Sequence, residues 1–289
     1  MRKREFITMI GPSVLVMVGL LAVPLYRTIQ WSLQRVTYGD PGTFVGLANY
    51  QQALTDPRFG RAVLFTVGLT VFVTAALLVG GYLLAILVNG LGRLRPFVLG
   101  AMLVSYVVPQ IVGATMFSWL FDKNFGGVVN YLISKITGSE ILWLTDPWPN
   151  RLLIALDTVW FLIPFAMLVI MAGLQGVPDE VIEASRIDGA STLNRHWHVI
   201  IPSIRGVLGF VALISIMDVL RIFDALVPLS PQAQQIGNES IMLYIYDVAF
   251  RDGGQQLGVG SAINVLLIIL IVIMLSPFIR NVWKEARQG

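Results

Sequence analysis

The residues of this chain that could do chemistry fall into two groups. The first is a compact block, EASRIDGASTLNRHWHVIIP at residues 183–202, in which eight of twenty residues are charged, His, Asn or Trp. Gly189 interrupts it and Pro202 closes it. It holds both histidines, His196 and His198. On a helix, positions i and i+2 point to different faces, so shared metal ligation is not expected and no metal site is predicted. The second group is sparse and set in apolar sequence: Asp157, Asp218, Arg221 and Asp224, with Tyr106, Gln110, Trp160 and Asn264 as further polar or aromatic candidates. Carboxylates accept hydrogen bonds from hydroxyls and Arg donates to them. Aromatic faces add a stacking surface, so this set suits a polyhydroxylated solute. Asp157 and Asp218 could also be read as the paired carboxylates of a membrane-embedded enzyme. Neither sits in a catalytic signature. The chain has no H-E-x-x-H, no G-x-S-x-G and no G-x-x-x-x-G-K-S/T run, so neither those hydrolase chemistries nor P-loop ATP binding is expected of it.

The elements that must position these groups are membrane helices. The chain is 56% hydrophobic and 13% charged, against about 25% charged in soluble domains. Its mean hydropathy is +0.75. It has no cysteine, hence no disulfide or thiolate chemistry, and a net charge of +3 is too small and scattered for nucleic acid. Spanning about 30 Å of hydrocarbon takes about 20 mostly apolar residues. Six segments qualify, at roughly 6–26, 62–89, 97–120, 152–173, 203–228 and 259–279. The first resembles a secretory signal but is long enough to span and lacks a small-residue cleavage site, so it reads as a retained helix. Pro109, Pro164 and Pro228 predict kinks or broken ends.

Basic residues set the orientation. Arg2, Lys3 and Arg4, then Arg93 and Arg95, then Arg280, Lys284 and Arg287 fall on one side of a six-span chain. Both termini are therefore expected in the cytoplasm, in a multi-pass protein of the cell (inner) membrane. The polar block becomes the cytoplasmic loop between spans four and five. The expected division is 1–60, an N-terminal helix and external loop, and 61–289, a core carrying the loop 177–202.

Within that loop VPDEVIEASRID reads as a short helix. Pro178 suits a first turn, and Asp179 and Glu180 complement the helix dipole there. Val181, Ala184, Ile187 and Ala190 recur at roughly helical spacing, and Glu183 and Arg186 are i, i+3 neighbours. Ser191 is a candidate N-cap for a second helix, TLNRHWHVI, and Pro202 is expected to restart the chain into span five. The small residues Ala184, Ser185, Gly189 and Ala190 permit close approach by another surface. Two readings remain open on physical grounds: a solvated loop, or a knob that docks into a groove of a soluble partner.

The intramembrane charges are open in the same way. At about 1.5 Å per residue, Asp157 lies about 8 Å and Arg221 about 10 Å from the outer ends of their spans. An Asp157–Arg221 or Asp218–Arg221 ion pair is then possible, as is a place in a wet translocation cavity.

The block resembles the EAA signature of ABC-importer permeases, E-A-A-x-x-D-G-A followed after nine variable residues by I-x-x-P or similar. Glu183, Ala184, Asp188, Gly189, Ala190 and Pro202 match it, and Ser185 replaces the second Ala, small for small. FVGLANYQQALTDPRFGRAVLFTV, GLQGVPDEVIEASRIDGAS and RIFDALVPL are similar to sugar-importer permeases of the maltose type, so the likeness covers most of residues 44–280. The resemblance implies an all-α, six-helix type I importer (MetI-like) permease fold. It implies a coupling loop seated on a cytoplasmic ATPase, with Glu183 as its polar contact and Gly189 setting the turn. It also implies alternating access driven by two ATP-binding cassette subunits that hold the ATP and Mg, this chain itself taking no cofactor. The implied partners are a second permease subunit, different in sequence, and an extracytoplasmic solute-binding protein. Spans three to six would form the cavity wall, and carbohydrate would be the substrate. A polyol, sugar phosphate or sulfonated sugar is the alternative within the class. A membrane enzyme or a passive channel is the alternative outside it.

Overall fold

The computed structural model describes residues 3–253 and 255–286. Arg2 and Arg287, and the side chains of Lys3, Arg4, Arg280 and Lys284, on which the orientation reading partly rests, lie outside the described residues. Among the described residues the regular elements are helices, apart from one hairpin of two-residue strands and an isolated bridge between Thr37 and Gln256. In order the chain runs α1 (Lys3–Ser32), β1 (Gln34–Arg35), β2 (Thr43–Phe44), α2 (Ala48–Thr55), α3 (Pro57–Asn89), α4 (Arg95–Val107), α5 (Gln110–Phe121), α6 (Val128–Thr137) and α7 (Pro147–Gln175). It continues with α8 (Asp179–Ile187), α9 (Thr192–Arg195), a π-turn (His196–Ile200), α10 (Ile201–Ser203), α11 (Arg205–Leu220), α12 (Leu226–Leu229) and α13 (Ala233–Ile236). It closes with α14 (Ile241–Tyr246), a second π-turn (Asp247–Arg251) and α15 (Leu257–Ala286).

Four of these helices are long and apolar enough to cross a membrane unaided, within α1, α3, α7 and α15. The other two spans are broken: α4 meets α5 at 96°, and the 192–203 arm meets α11 at 72°. The first break falls at Pro109. The residue before a proline is pushed out of the helical region, and Val108 is extended at ψ 134°. The second break falls at Ile204 (φ −102°, ψ 15°), not at Pro202, which lies inside α10. Span five was expected over 203–228. It ends instead at Leu220, with Pro228 in the separate short helix α12. Pro164 breaks nothing, since α7 runs through it.

The chain forms two compact units. One contains residues 61–240, and the other contains residues up to 60 together with 241–272. In the larger unit α7 is the central helix, with over half of its most apolar window buried. It contacts α4, α5, α11 and α12. Leu153, Ile154, Met167 and Ile170 of α7 are buried, as are Val211 and Leu220 of α11 and Leu226 and Leu229 of α12. Small residues allow the helices to close in. A side chain at Gly81 would press on Ala166, and one at Gly113 would meet the Trp160 ring at 2.9 Å. Asn150, fully buried, ties together the end of this unit at which α7 begins. Its Nδ2 donates to Trp143 O (3.1 Å) and Leu229 O (2.7 Å), and its Oδ1 accepts from Ser230 Oγ (2.9 Å) and Asn238 Nδ2 (3.0 Å).

In the smaller unit α1 carries an apolar surface with none of its spanning window buried. Asn49 of α2 donates to Ser32 O (2.9 Å) and Gln34 O (2.8 Å), holding the hairpin. Arg58 bridges Asp247 (2.7 Å) and Asp252 (3.0 Å) and lies over the Tyr244 ring.

Candidate coupling site and translocation path

Residues 177–203 fold as two short arms around a turn. α8 begins after Pro178, which is the N-cap rather than the first helical residue, and carries Asp179 and Glu180 in its first turn. Gly189 takes φ +77°, the left-handed conformation that glycine adopts without penalty. Gly189 N donates to Arg186 O (3.0 Å) and Ala190 N to Ser185 O (3.0 Å), satisfying carbonyls at the helix end. Ser191 then caps α9, its side chain accepting from Asn194 N at 3.3 Å.

The signature residues divide between the two faces of this knob. Ser185 turns inward, buried, with Oγ donating to Ile182 O at 2.6 Å. Glu183, Ala184, Asp188 and Gly189 are exposed and Ala190 is half-buried. Among the described residues Glu183 and Arg186, i, i+3 neighbours, form no ion pair, and both are exposed. The apolar positions also face outward: Val181, Ile187 (86% exposed), Leu193 (68%) and Trp197 (61%). The far arm is fastened by His196, whose Nδ1 lies 2.6 Å from Tyr82 Oη of α3, the rings meeting edge to face. Burial, and then the neighbouring Arg195, lower the His196 pKa. His198 instead lies 3.1 Å from Asn194 O. Tyr82 was not singled out in the sequence. A lone phenol inside a 33-residue apolar helix was the available signal, because a buried Tyr hydroxyl needs a partner.

The second group of candidates is scattered. Asp157 is buried at 1% exposure, with Oδ2 lacking a hydrogen-bond partner. Asp218 is exposed in the last turn of α11, and Arg221 is exposed just past its end. Among the described residues Asp157 and Arg221 form no ion pair, nor do Asp218 and Arg221. α11 stops at Leu220, which leaves Arg221 on a turn rather than on a continuing helix face. Among the described residues Asp157, buried, and Asp218, exposed, share no hydrogen bond. Trp160 is half-buried, its ring tilted at 50° to that of Phe117 with centroids 5.3 Å apart, and it packs against Gly113. Tyr106 is 40% exposed beside Phe161 and Phe165, at 5.9 and 5.8 Å. Gln110 begins α5 at the 96° bend and is half-buried. Asn264, half-buried in α15, belongs to the smaller unit.

The inner membrane ABC transporter permease protein YcjO of Escherichia coli is 31% identical over 269 residues, covering 91% of this chain and 89% of that protein. The trehalose/maltose transport system permease protein MalF of Thermococcus litoralis is 31% identical over 270 residues, covering 91% and 88%. Among solved structures, a bacterial alginate ABC transporter in complex with an alginate pentasaccharide-bound periplasmic protein contains a chain that superposes with TM-score 0.82. It covers 96% of this chain and 93% of that one, and at 18% identity the likeness is one of fold. It agrees with the all-α, polytopic permease architecture derived above. The family of binding-protein-dependent transport system inner membrane components matches residues 77–285, which include the knob and both broken spans. This chain belongs to that family.

Proposed function

We propose that this chain is the transmembrane permease subunit of an ATP-driven importer of carbohydrate, coupled to a cytoplasmic ATPase through the 177–202 loop. The observation that carries the reading is the knob itself. Val181 and Ile187 are exposed on α8, a polar helix outside every candidate span, and Leu193 and Trp197 are exposed on the arm that leads from it to α11. In lipid an exposed apolar side chain costs nothing, but in water a cluster of this kind marks a protein interface. Glu183 sits beside it to make the polar contact, and Gly189 holds the turn. One knob engages one ATPase, so two ATP-binding cassette subunits call for a second permease, expected to be a different polypeptide. ATP and Mg are held on the cassettes, and both termini of this chain face the cytoplasm with them.

A solute-binding protein delivers substrate at the outer face. Closure of the ATPases drives the knob, which moves α3 through the Tyr82–His196 link and α11 through the bend at Ile204. Tyr106, Gln110, Trp160, Asp218, Arg221 and Asn264 are assigned to the substrate path, with Asp157 uncovered only in another conformation. Trehalose and maltose transport by a 31% identical relative supports a carbohydrate. An anionic substrate, such as a sugar phosphate or sulfonated sugar, is the second reading, favoured by exposed Arg221.

Affinity purification of the full chain in mild detergent, with mass spectrometry of what accompanies it, tests this. A P-loop ATPase, a second six-span chain and a solute-binding protein are expected. ATP-dependent uptake should be lost in Glu183→Ala while the protein still reaches the membrane. Flux without ATP, or a chain that purifies only with itself after crosslinking before extraction, would overturn the reading.

A further inference from the structure

α3 and α7 lie side by side in the same direction. Arg61–Phe72 of one and Trp148–Ala155 of the other wall a common groove of about 750 Å³, and further along Gly80 and Gly81 meet Ile163 and Ala166. The groove is mostly apolar and closed on a third side by residues 234–237. Its two cations, Arg61 and Arg151, each sit four residues past a helix start, at Pro57 and Pro147. No carboxylate lies among its lining residues. Arg61 is exposed and has no ion pair among the described residues. Arg151 spends Nε on Asn238 (2.7 Å) and stacks over Trp148 at 4.7 Å, which holds its guanidinium at the mouth. Both helix N-termini add positive potential there.

From this mouth the groove runs down α3 past Leu64 and Gly68 to Phe72. Leu64 and Phe72 are exposed, and a side chain at Gly68 would meet nothing within 4 Å. Eleven residues at about 1.5 Å each make about 16 Å, which matches one leaflet, about half of a 30 Å hydrocarbon core. Trp148 is exposed at this mouth, and Trp is a residue type enriched at membrane interfaces. We propose that the groove holds one anionic phospholipid, its phosphate between Arg61 and Arg151 and an acyl chain along Leu64, Gly68 and Phe72. The proposal rests on the spanning reading above, and the orientation proposed there assigns the lipid to the outer leaflet.

The test is native mass spectrometry of the delipidated, detergent-purified full chain with the subunits that accompany it, titrated with phosphatidylglycerol or phosphatidylcholine. Phosphatidylglycerol should bind first. Arg61→Gln, at a side chain with no described partner to lose, should weaken it about tenfold, as loss of a charge-assisted hydrogen bond implies. Gly68→Trp, which fills the groove and keeps both charges, should weaken both lipids. Equal binding of the two lipids with neither variant altering it would overturn the proposal. So would efficient crosslinking of Leu64→Cys to another subunit, because the groove would then be a protein interface. The cysteine-free chain lets the orientation be read separately. Ser139→Cys, between α6 and α7, should react with an impermeant maleimide from outside. Reaction only from inside would overturn the orientation and the leaflet while the adduct measurement stood on its own.

Discussion

Ile187→Ala isolates the docking claim from the fold. Ile187 is 86% exposed in the last turn of α8, so within this chain its side chain holds little together. Alanine is also the better helix former, so the knob should remain intact. If a partner buries this position, the substitution removes three carbons from the interface. At about 0.8 kcal/mol per buried carbon that is about 2.4 kcal/mol, or about 60-fold in affinity. The assay is titration of the purified ATPase onto the permease in nanodiscs, with ATP-driven uptake in proteoliposomes beside it. The thermal midpoint of the permease should be unchanged. An affinity within about threefold of the parent, well under the factor of ten that 1.4 kcal/mol produces, would sink the claim that this face is buried against the ATPase.

Further outcomes follow from the packing. Tyr82→Phe removes the bond to His196 and should loosen the far arm of the knob by about 1 kcal/mol, read as faster amide exchange over 192–203 with α8 unaffected. Because the fold lowers the His196 pKa, the unfolded arm binds the proton more readily. Stability contributed there should fall as pH drops through the unfolded histidine value of about 6.5, and His196→Gln should flatten that slope; a slope of the opposite sign contradicts the assignment. Asn150→Leu orphans four buried partners at about 1–3 kcal/mol each, so a thermal midpoint left unchanged would refute the hub. Gly113→Ala should destabilise by about 1–3 kcal/mol through the Trp160 ring, whereas Gly209→Ala, which meets nothing within 4 Å, should be neutral or slightly stabilising. Equal midpoints for the pair would deny that close approach.

The spans were legible because length and hydropathy act locally, and each expected segment overlaps a helix or a bent helix pair. Their breaks were only half legible. Pro109 and Pro164 are the same residue in similarly apolar surroundings, yet one ends a helix at a 96° bend and the other sits within 29 continuous residues. Proline removes a donor and crowds the preceding turn, but whether a helix survives depends on whether neighbours re-satisfy the freed backbone groups. α7 is enclosed by α4, α5, α11 and α12, and that is a tertiary fact. The end of span five failed for a related reason. RIFDALVPL is apolar enough to read as continuing helix, but Ile222, Ala225, Leu226 and Leu229 are buried in a turn and a short helix instead.

The coupling block was legible as polar sequence, but its faces were not, and the faces carry the functional argument. Helical spacing put Val181, Ala184 and Ile187 on a stripe without saying which side the chain would cover. The structure turns Ser185 inward and leaves the stripe outward. What makes that informative is solvent rather than exposure alone. Leu15 on α1 is 74% exposed and Ile187 on α8 is 86% exposed. The first is expected of any lipid-facing helix, while the second, on a helix with two acids in its first turn and an arginine in its last, needs a partner. The same logic picks out the α3–α7 groove. Apolar exposure there would be unremarked lipid contact except that two arginines without a carboxylate beside them sit at its mouth. In a membrane protein the decisive observations are therefore mismatches between a surface and the medium it faces, and a one-dimensional hydropathy pattern cannot register them until the fold has assigned each residue a side.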